Sequence, residues 1–207
     1  MEDVLDLYEQ VYDPEQPVVC FDEKPVQLLG ETRVPRPPRP GRAQRYDYEY
    51  ERKGTANIFV AIEPLAGWRR VTVTERRTKL DFAVQMKQLV DERYPEAKKV
   101  RVVLDNLNTH KLATLYEAFP PAEAQRIRRR LEFHHTPKHG SWLNMAEIEL
   151  SVLGNQCLAR RIADPEVVAR ETEAWQRARN KARTTIKWRF TVHQARDKLT
   201  HLYPALS

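Results

Sequence analysis

Val18-Val19-Cys20-Phe21 is a fully apolar run that begins with two β-branched residues, and an acid, Asp22, follows it directly. A second run, Val100-Arg101-Val102-Val103-Leu104, leads in the same way to Asp105. Such runs predict central strands, and ligands of an open α/β sheet gather outside the carboxyl ends of its parallel strands. We therefore expect Asp22 and Asp105 to close two strands and to project into one crevice.

A third acid, Glu147, opens a helix-like segment after the loop 136–141. If Asn144 caps that helix, Glu147 occupies its third position, where the backbone dipoles favour a negative charge. Three converging carboxylates form a site for hard divalent cations, which prefer oxygen ligands. Metal-assisted cutting or joining of phosphodiesters requires such a site.

Each acid also has an ordinary structural explanation. The Asn-x-x-Glu spacing resembles a capping box, in which Glu147 would only satisfy a backbone amide. Asp22 could stabilise a turn at the end of its strand. Glu23, on the other face of the strand, competes with Asp22 for the role of the functional acid. Asp105 could form an Asp-Asn turn. The functional interpretation is favoured because three separate positions fit one pattern together.

The rest of the chain predicts an α/β fold with a mixed sheet flanked by helices. Strands are expected over 18–21, 56–62, 69–74, 99–104 and 131–135, and helices over 80–93, 111–119 and 122–130. A basic helical extension is expected over 164–203. Its apolar residues available for packing are Val168, Trp175, Ile186, Trp188, Phe190, Leu199 and Leu202.

Composition limits the class of protein. The 207 residues include 35 Lys and Arg against 29 Asp and Glu, and the net charge of +6 favours a polyanionic partner without requiring one. Cys20 and Cys157 lack C-x-x-C spacing, so we expect small core residues in a reducing cytoplasm. No apolar stretch is long enough to span a membrane, and the acidic N-terminus lacks the features of a signal peptide, so we expect no membrane partner.

The segment 31–45, ETRVPRPPRPGRAQR, is rich in proline and can be neither a helix nor a central strand. Arginine recurs at every third position: Arg33, Arg36, Arg39, Arg42 and Arg45. A polyproline II helix turns once per three residues, so it would align guanidinium groups along one edge at intervals of about 9 Å. That edge would suit a phosphate backbone, but a solvated linker would have the same composition.

Three strings resemble the acidic motifs of DDE transposases, and in particular the bacterial insertion-sequence branch of the Tc/mariner superfamily. They are Val18 to Glu23, Leu104-Asp105-Asn106 with His110 four residues later, and Ser141 to Glu147. The resemblance runs from about Pro17 to the end of the chain and includes Lys187-Trp188-Arg189-Phe190 and Leu202-Tyr203-Pro204. Met145 departs from eukaryotic members, which have proline there.

The resemblance implies a ribonuclease H-like domain that binds two Mg²⁺ or Mn²⁺ ions and cuts and rejoins transposon ends. By motif, Asp22 would bridge both ions, Asp105 would bind one and Glu147 the other. It also implies an N-terminal linker or helix over 1–16, a DDE catalytic domain over 17–160 with the loop 31–45, and a basic helical region over 161–207. The partners implied are transposon ends and target DNA, bound by a homodimer in the bacterial cytoplasm.

Members of that family carry an N-terminal helix-turn-helix region, and the residues before Pro17 are too few to form one. We therefore expect a catalytic half with little sequence-specific binding, whether it is a fragment, a frameshift product or a decayed copy. An inert ribonuclease H-like nucleic-acid binder and a structure-selective nuclease remain as alternatives.

Other polar residues beside the acids are candidates for supporting roles. His110 could contact a phosphate or a metal-bound water, or could be a surface histidine that caps a turn, and Asn106 adjoins the second acid. Lys138 and His139 are candidates for DNA contact, together with Arg33, Arg36, Arg39 and Arg42. We expect Trp142 in the core rather than as a platform for base stacking. The lack of nearby cysteines makes zinc at His134, His135 and His139 unexpected.

Overall fold

The computed structural model describes residues 1–45, 47–107, 109–200 and 203. Leu202 and Pro204 of the tail motif lie outside the described residues. The strands are β1 (Val18–Glu31), β2 (Tyr50–Glu63), β3 (Trp68–Thr74), β4 (Val100–Leu104) and β5 (Leu131–His135). The helices are α1 (Glu2–Glu9), α2 (Lys79–Gln88), α3 (Thr114–Ala118), α4 (Pro121–Arg130), α5 (Met145–Gln156), α6 (Pro165–Lys181) and α7 (Val192–Lys198). The predicted α/β class is confirmed.

The strands form one mixed sheet in the order β3-β2-β1-β4-β5. β1 is antiparallel to β2 and parallel to β4, which is in turn parallel to β5. Every residue of β4 is buried, because helices cover both faces of the sheet. The carboxyl ends of β4 and β5 therefore open at the same edge, as the prediction of a crevice requires.

The prediction that Asp22 ends its strand was wrong. β1 continues to Glu31 and pairs with β2 from Cys20 onward, whereas its parallel pairing with β4 stops at Cys20 and Val103. Asp22 thus lies just beyond the point where β1 and β4 separate, and the crevice still opens beside it. The outer half of β1 was missed because many of its side chains are exposed and carry no apolar run.

Several helix boundaries also differ from the predictions. The helix predicted over 80–93 consists of α2, which Thr78 and Asp81 start with a capping box, and a π-helical turn, Leu89–Arg93. The helix predicted over 111–119 is reduced to α3. The C-terminal region is helical in two parts, and the non-helical segment 182–191 separates them. None of the described helices is long and apolar enough to cross a membrane.

Two hydrophobic clusters pack on opposite faces of the sheet, since successive strand residues point to opposite sides. Val19 and Phe21 belong to the cluster under α2, α3 and α4, whereas Cys20 belongs to the cluster under α1, α5, α6 and α7. Helix α1 contributes Val4, Leu5 and Leu7, which are fully or nearly fully buried. The N-terminal helix is therefore part of the core.

A buried charge cluster joins α5 to β3 and α6. Glu149 is completely buried, and its carboxylate accepts hydrogen bonds of 2.7 and 3.1 Å from Arg179. The Nε of Arg69 lies 2.7 Å from Glu149 Oε1 as an ion pair without hydrogen-bond alignment. Arg69 also donates to the backbone oxygens of Gly67 and Thr184. The cluster sets which face of α5 points inward, so Glu147, about 200° away on the helix, points outward.

Replacing Glu149 with Gln would leave two guanidinium groups without their counter-charge. We expect the free energy of unfolding in urea to fall by about 3 kcal/mol, because breaking a buried ion pair leaves an uncompensated charge. Glu147→Gln, two residues earlier and exposed, is the matched control and should change stability by less than about 0.5 kcal/mol. Equal effects of the two substitutions would contradict this role of Glu149.

Candidate active site

The three predicted acids line one cavity of about 470 Å³ at the edge of the sheet. Asp22 comes from β1, Asp105 follows β4, and Glu147 lies in the first turn of α5. The other lining residues are Glu23, Lys24, Arg77, Leu107, Leu150 and Ser151. Within the described residues, no three Asp, Glu, His or Cys side chains are grouped closely enough to hold an ion as they stand.

The carboxyl group of Asp22 is largely buried and lies near other acids. Burial, and then the negative charges of Glu23, Asp105 and Glu147, raise its pKa to about 7, although its Oδ1 accepts a hydrogen bond of 2.8 Å from the backbone N–H of Glu23. Among the described residues that line the cavity, four carboxyl groups stand against the two cations Lys24 and Arg77, so acids outnumber cations there.

Asp105 is held by its neighbours in the loop after β4. Its Oδ1 accepts from His110 Nδ1 at 2.6 Å and from the backbone N–H of Leu107 at 3.3 Å. Burial opposes its charge, but the hydrogen bond and the positive charge of His110 hold the pKa of Asp105 below its usual value. The predicted turn does form, and the same carboxylate also lines the cavity.

Glu147 does not form a capping box. Asn144 caps α5 by accepting from the N–H of Ala146 at 3.1 Å, and the backbone N–H of Asn144 donates to Ser141 at 2.8 Å. Glu147 is exposed, and its carboxylate makes no hydrogen bond or ion pair with the described residues. Its carboxylate is therefore available to a ligand in the cavity.

Comparison with known proteins gives the family. The model of the DDE superfamily endonucleases matches residues 17–168. This chain belongs to the DDE endonuclease superfamily. No curated protein matches it.

Solved structures give the fold of this DDE endonuclease. The Mos1 mariner paired-end complex with Mn is 16% identical, with a TM-score of 0.58 over 87% of this chain and 54% of that chain. The Mos1 strand transfer complex is 14% identical, with a TM-score of 0.56, and the match covers 87% of this chain and 53% of that chain. A pre-cleavage Mos1 transpososome is 14% identical, with a TM-score of 0.54, and the match covers 87% of this chain and 58% of that chain. The fold is ribonuclease H-like, and the chain spans about half the length of the Mos1 chains.

His110 of the DDE endonuclease fits neither of the roles considered from the sequence. It is 1% exposed and lies against the rings of Phe82 and Phe21, with ring centroids 4.8 and 5.8 Å away. Its Nε2 lies 2.9 Å from Glu23 Oε2 in a contact that is not aligned as a hydrogen bond. Burial opposes its charge, but Asp105 and Glu23 raise the pKa of His110 to about 9. It is a buried cation that orients Asp105.

Sequence reasoning missed the contacts that four residues make around the acids. Asn144 donates through Nδ2 to the backbone oxygen of Phe21 at 2.8 Å and so joins α5 to β1. Glu23 faces His110, and Lys24 and Arg77 line the cavity. The helix cap was recognised, but nothing local in the sequence indicated that the capping side chain also reaches β1.

The predicted DNA-contact residues lie outside the cavity. Lys138 and His139 are exposed in the loop after β5, and His139 adopts a left-handed backbone conformation with φ of 62°. Asn106 is exposed and does not line the cavity. Lys24 and Arg77 line the cavity with the acids and add positive charge there to that of the buried His110.

The arginine-rich loop is not a straight polyproline II helix, so that prediction was wrong. The chain folds back at Gly41, with φ of 75°, and backbone hydrogen bonds join Arg36 to Arg45 and Arg39 to Arg42. These four arginines surround an opening of about 300 Å³. Arg33 instead pairs with Asp47 at 3.3 Å. The positive charge is therefore gathered at the tip of a narrow hairpin.

Trp142 was expected in the core, but it lies on the surface with 43% of its area exposed. It belongs to a 3-10 turn, Ser141–Leu143, directly before α5. The prediction failed because its apolar neighbour Leu143 fills the buried position of this turn instead.

The His110 contacts predict a specific energetic coupling. His110→Leu should lower the free energy of unfolding by roughly 3 kcal/mol, because the buried Glu23 carboxylate would lose its nearer counter-charge and keep only Arg77, 3.9 Å away. In the double variant with Glu23→Gln the loss should be smaller than the sum of the single losses by at least about 1 kcal/mol. Urea unfolding in EDTA measures all four proteins, and strictly additive losses would show that the two side chains are not coupled.

Proposed function

We propose that this DDE endonuclease cuts and joins DNA at transposon ends, with two divalent ions held by Asp22, Asp105 and Glu147. The observation that carries the proposal is that these three carboxylates, from distant parts of the chain, line one cavity at the edge of the sheet. The family match supports the choice of DNA as the substrate.

The donor set fits Mg²⁺ or Mn²⁺. All three candidate ligands are carboxylates, which hard cations prefer, and a bound cation would offset both the burial and the neighbouring acids that raise the pKa of Asp22. Such ions, when bound, activate the attacking oxygen and stabilise the leaving oxygen of an in-line displacement. The carboxylates would have to draw closer together around them, and Glu147 is free to do so.

The chain's own residues position the substrate and the ligands. His110 keeps Asp105 ionised and oriented towards the cavity. Lys24 and Arg77 would contact phosphate oxygens on either side of the bond that is cut, where their positive charge also offsets the crowded carboxylates. Arg36, Arg39 and Arg42 on the hairpin, with Lys138 and His139, would hold flanking duplex.

A homodimer that pairs two transposon ends, acting on DNA in the bacterial cytoplasm, completes the proposal. The Mos1 paired-end complexes support an arrangement of this kind, because their fold is the one found here.

A nicking assay on supercoiled plasmid tests the catalytic assignment. We expect Mg²⁺- or Mn²⁺-dependent nicking that EDTA abolishes, and Asp22→Asn, Asp105→Asn and Glu147→Gln should each lower its rate by at least about 100-fold. Glu173→Gln, which removes an exposed acid of α6, is the matched control and should retain the rate. An inert protein, or full activity in any of the three cavity variants, would refute the proposal as stated.

The salt dependence of duplex binding tests the role of the hairpin. In EDTA, the triple variant Arg36→Gln/Arg39→Gln/Arg42→Gln should bind duplex DNA more weakly. Its plot of log affinity against log salt should be less steep by about 0.9 for each phosphate that the hairpin no longer neutralises. Arg177→Gln, which removes an exposed arginine of α6, should leave the slope unchanged. An unchanged slope in the triple variant would show that the hairpin is only a solvated loop.

A further inference from the structure

An exposed tryptophan beside the candidate active site rests on other aromatic rings. The ring of Trp142 stacks on Trp188 with a centroid distance of 6.2 Å and an interplanar angle of 22°, and Phe190 meets it edge-on at 5.7 Å. Trp188 packs in turn against Tyr8 at 5.3 Å. The inner side of Trp142 is therefore supported, while 43% of the residue is open to solvent.

The backbone on both sides of this stack is fixed by hydrogen bonds. Leu143 donates to Gly140 at 3.0 Å within the 3-10 turn, and Leu143 in turn accepts from the Tyr8 hydroxyl at 2.9 Å. Trp188 donates through its indole nitrogen to the backbone oxygen of Phe190 at 2.7 Å. The exposed ring is held in place before any ligand arrives, which lowers the entropy lost on binding.

Three cationic residues, Lys138, Lys187 and Arg189, lie close in the sequence to the two stacked tryptophans. Lys138 and His139 are exposed in the loop that leads to Trp142, and Lys187 and Arg189 are exposed on either side of Trp188. In the described part of the chain none of the four forms an ion pair with an acid. The surface therefore combines an open aromatic face with cations whose charge is not neutralised.

The same turn leads directly into the candidate active site. Asn144, two residues after Trp142, donates to the Phe21 oxygen beside Asp22, and Glu147 follows in the first turn of α5. Trp142 therefore lies five residues before Glu147, on the turn that leads into the helix carrying that acid.

We propose that Trp142 stacks a nucleobase of a single-stranded stretch of DNA, while Lys187 and Arg189 contact its phosphates. A supported aromatic face among cations is the arrangement that binds single strands without reading their sequence, since every base has a π-face. The choice of DNA rests on the proposed function. The binding itself needs no metal, so it can be tested apart from catalysis.

The experiment measures the affinity of the full chain for a labelled oligothymidine and for a duplex of the same length, in EDTA. Trp142→Leu should weaken binding of the single strand roughly 10- to 100-fold and leave duplex binding unchanged. Trp142→Phe should retain most of the affinity. Tyr116→Leu, which removes an equally exposed aromatic residue from α3, is the matched control and should have no effect.

A second arm changes the DNA, so its main comparison is made on the unmodified chain and does not depend on whether a variant folds. Replacing the thymines with abasic sites should weaken binding to the wild-type chain but not to Trp142→Leu. Lys187→Gln/Arg189→Gln should lower the salt slope by about 0.7 for each phosphate of the single strand that the chain no longer neutralises.

Three results would overturn the inference: no binding of the single strand, equal losses of affinity for single strand and duplex, or indifference to abasic sites. The last would show that the cations alone hold the strand. Because these readouts use no metal, they separate this inference from the nicking result.

Discussion

The hydrogen bond from Asn144 to the backbone oxygen of Phe21 is the contact on which the candidate site depends. It joins the start of α5 to the central strand at the residue before Asp22, and the same amide caps the helix through Ala146. One buried side chain thus fixes where the helix begins and how close it lies to β1. Both groups it satisfies are buried, so its loss would leave unpaired polar atoms in the core at a cost of about 1–3 kcal/mol each.

Helix α5 carries two glutamates whose environments are opposite. Glu149 is completely buried and is neutralised by Arg69 and Arg179, as a buried carboxylate must be. Glu147 faces the cavity without a counter-charge in the described residues, near Asp22, whose pKa is raised to about 7 by burial and by neighbouring acids. The negative charge of the structural Glu149 is balanced, whereas the negative charge of Glu147 in the cavity is not. This difference favours a bound cation in the cavity.

The parts of the site that the sequence predicted are those governed by local rules. The apolar runs before Asp22 and Asp105 and the cap at Asn144 are visible in a few neighbouring residues. What could not be predicted depends on distant packing: the burial of His110 against Phe82, the fold-back of the arginine hairpin, and the exposed outer halves of β1 and β2. Trp142 belongs with these, because only the position of residues 186–190 makes a supported surface stack available to it.

The three carboxylates also differ in how firmly they are held. Asp105 accepts two hydrogen bonds and Asp22 accepts one, whereas the Glu147 carboxylate has no hydrogen bond or ion pair within the described residues. A glutamate side chain that becomes fixed loses conformational entropy worth up to about 2 kcal/mol. A side chain that is already ordered in the folded protein does not lose this entropy again when a ligand binds. Ions entering the cavity would therefore find the two aspartates oriented and would order Glu147 on arrival. Asn144 and Glu149 anchor the helix that carries Glu147, so the side chain of Glu147 can adjust while the helix stays in place.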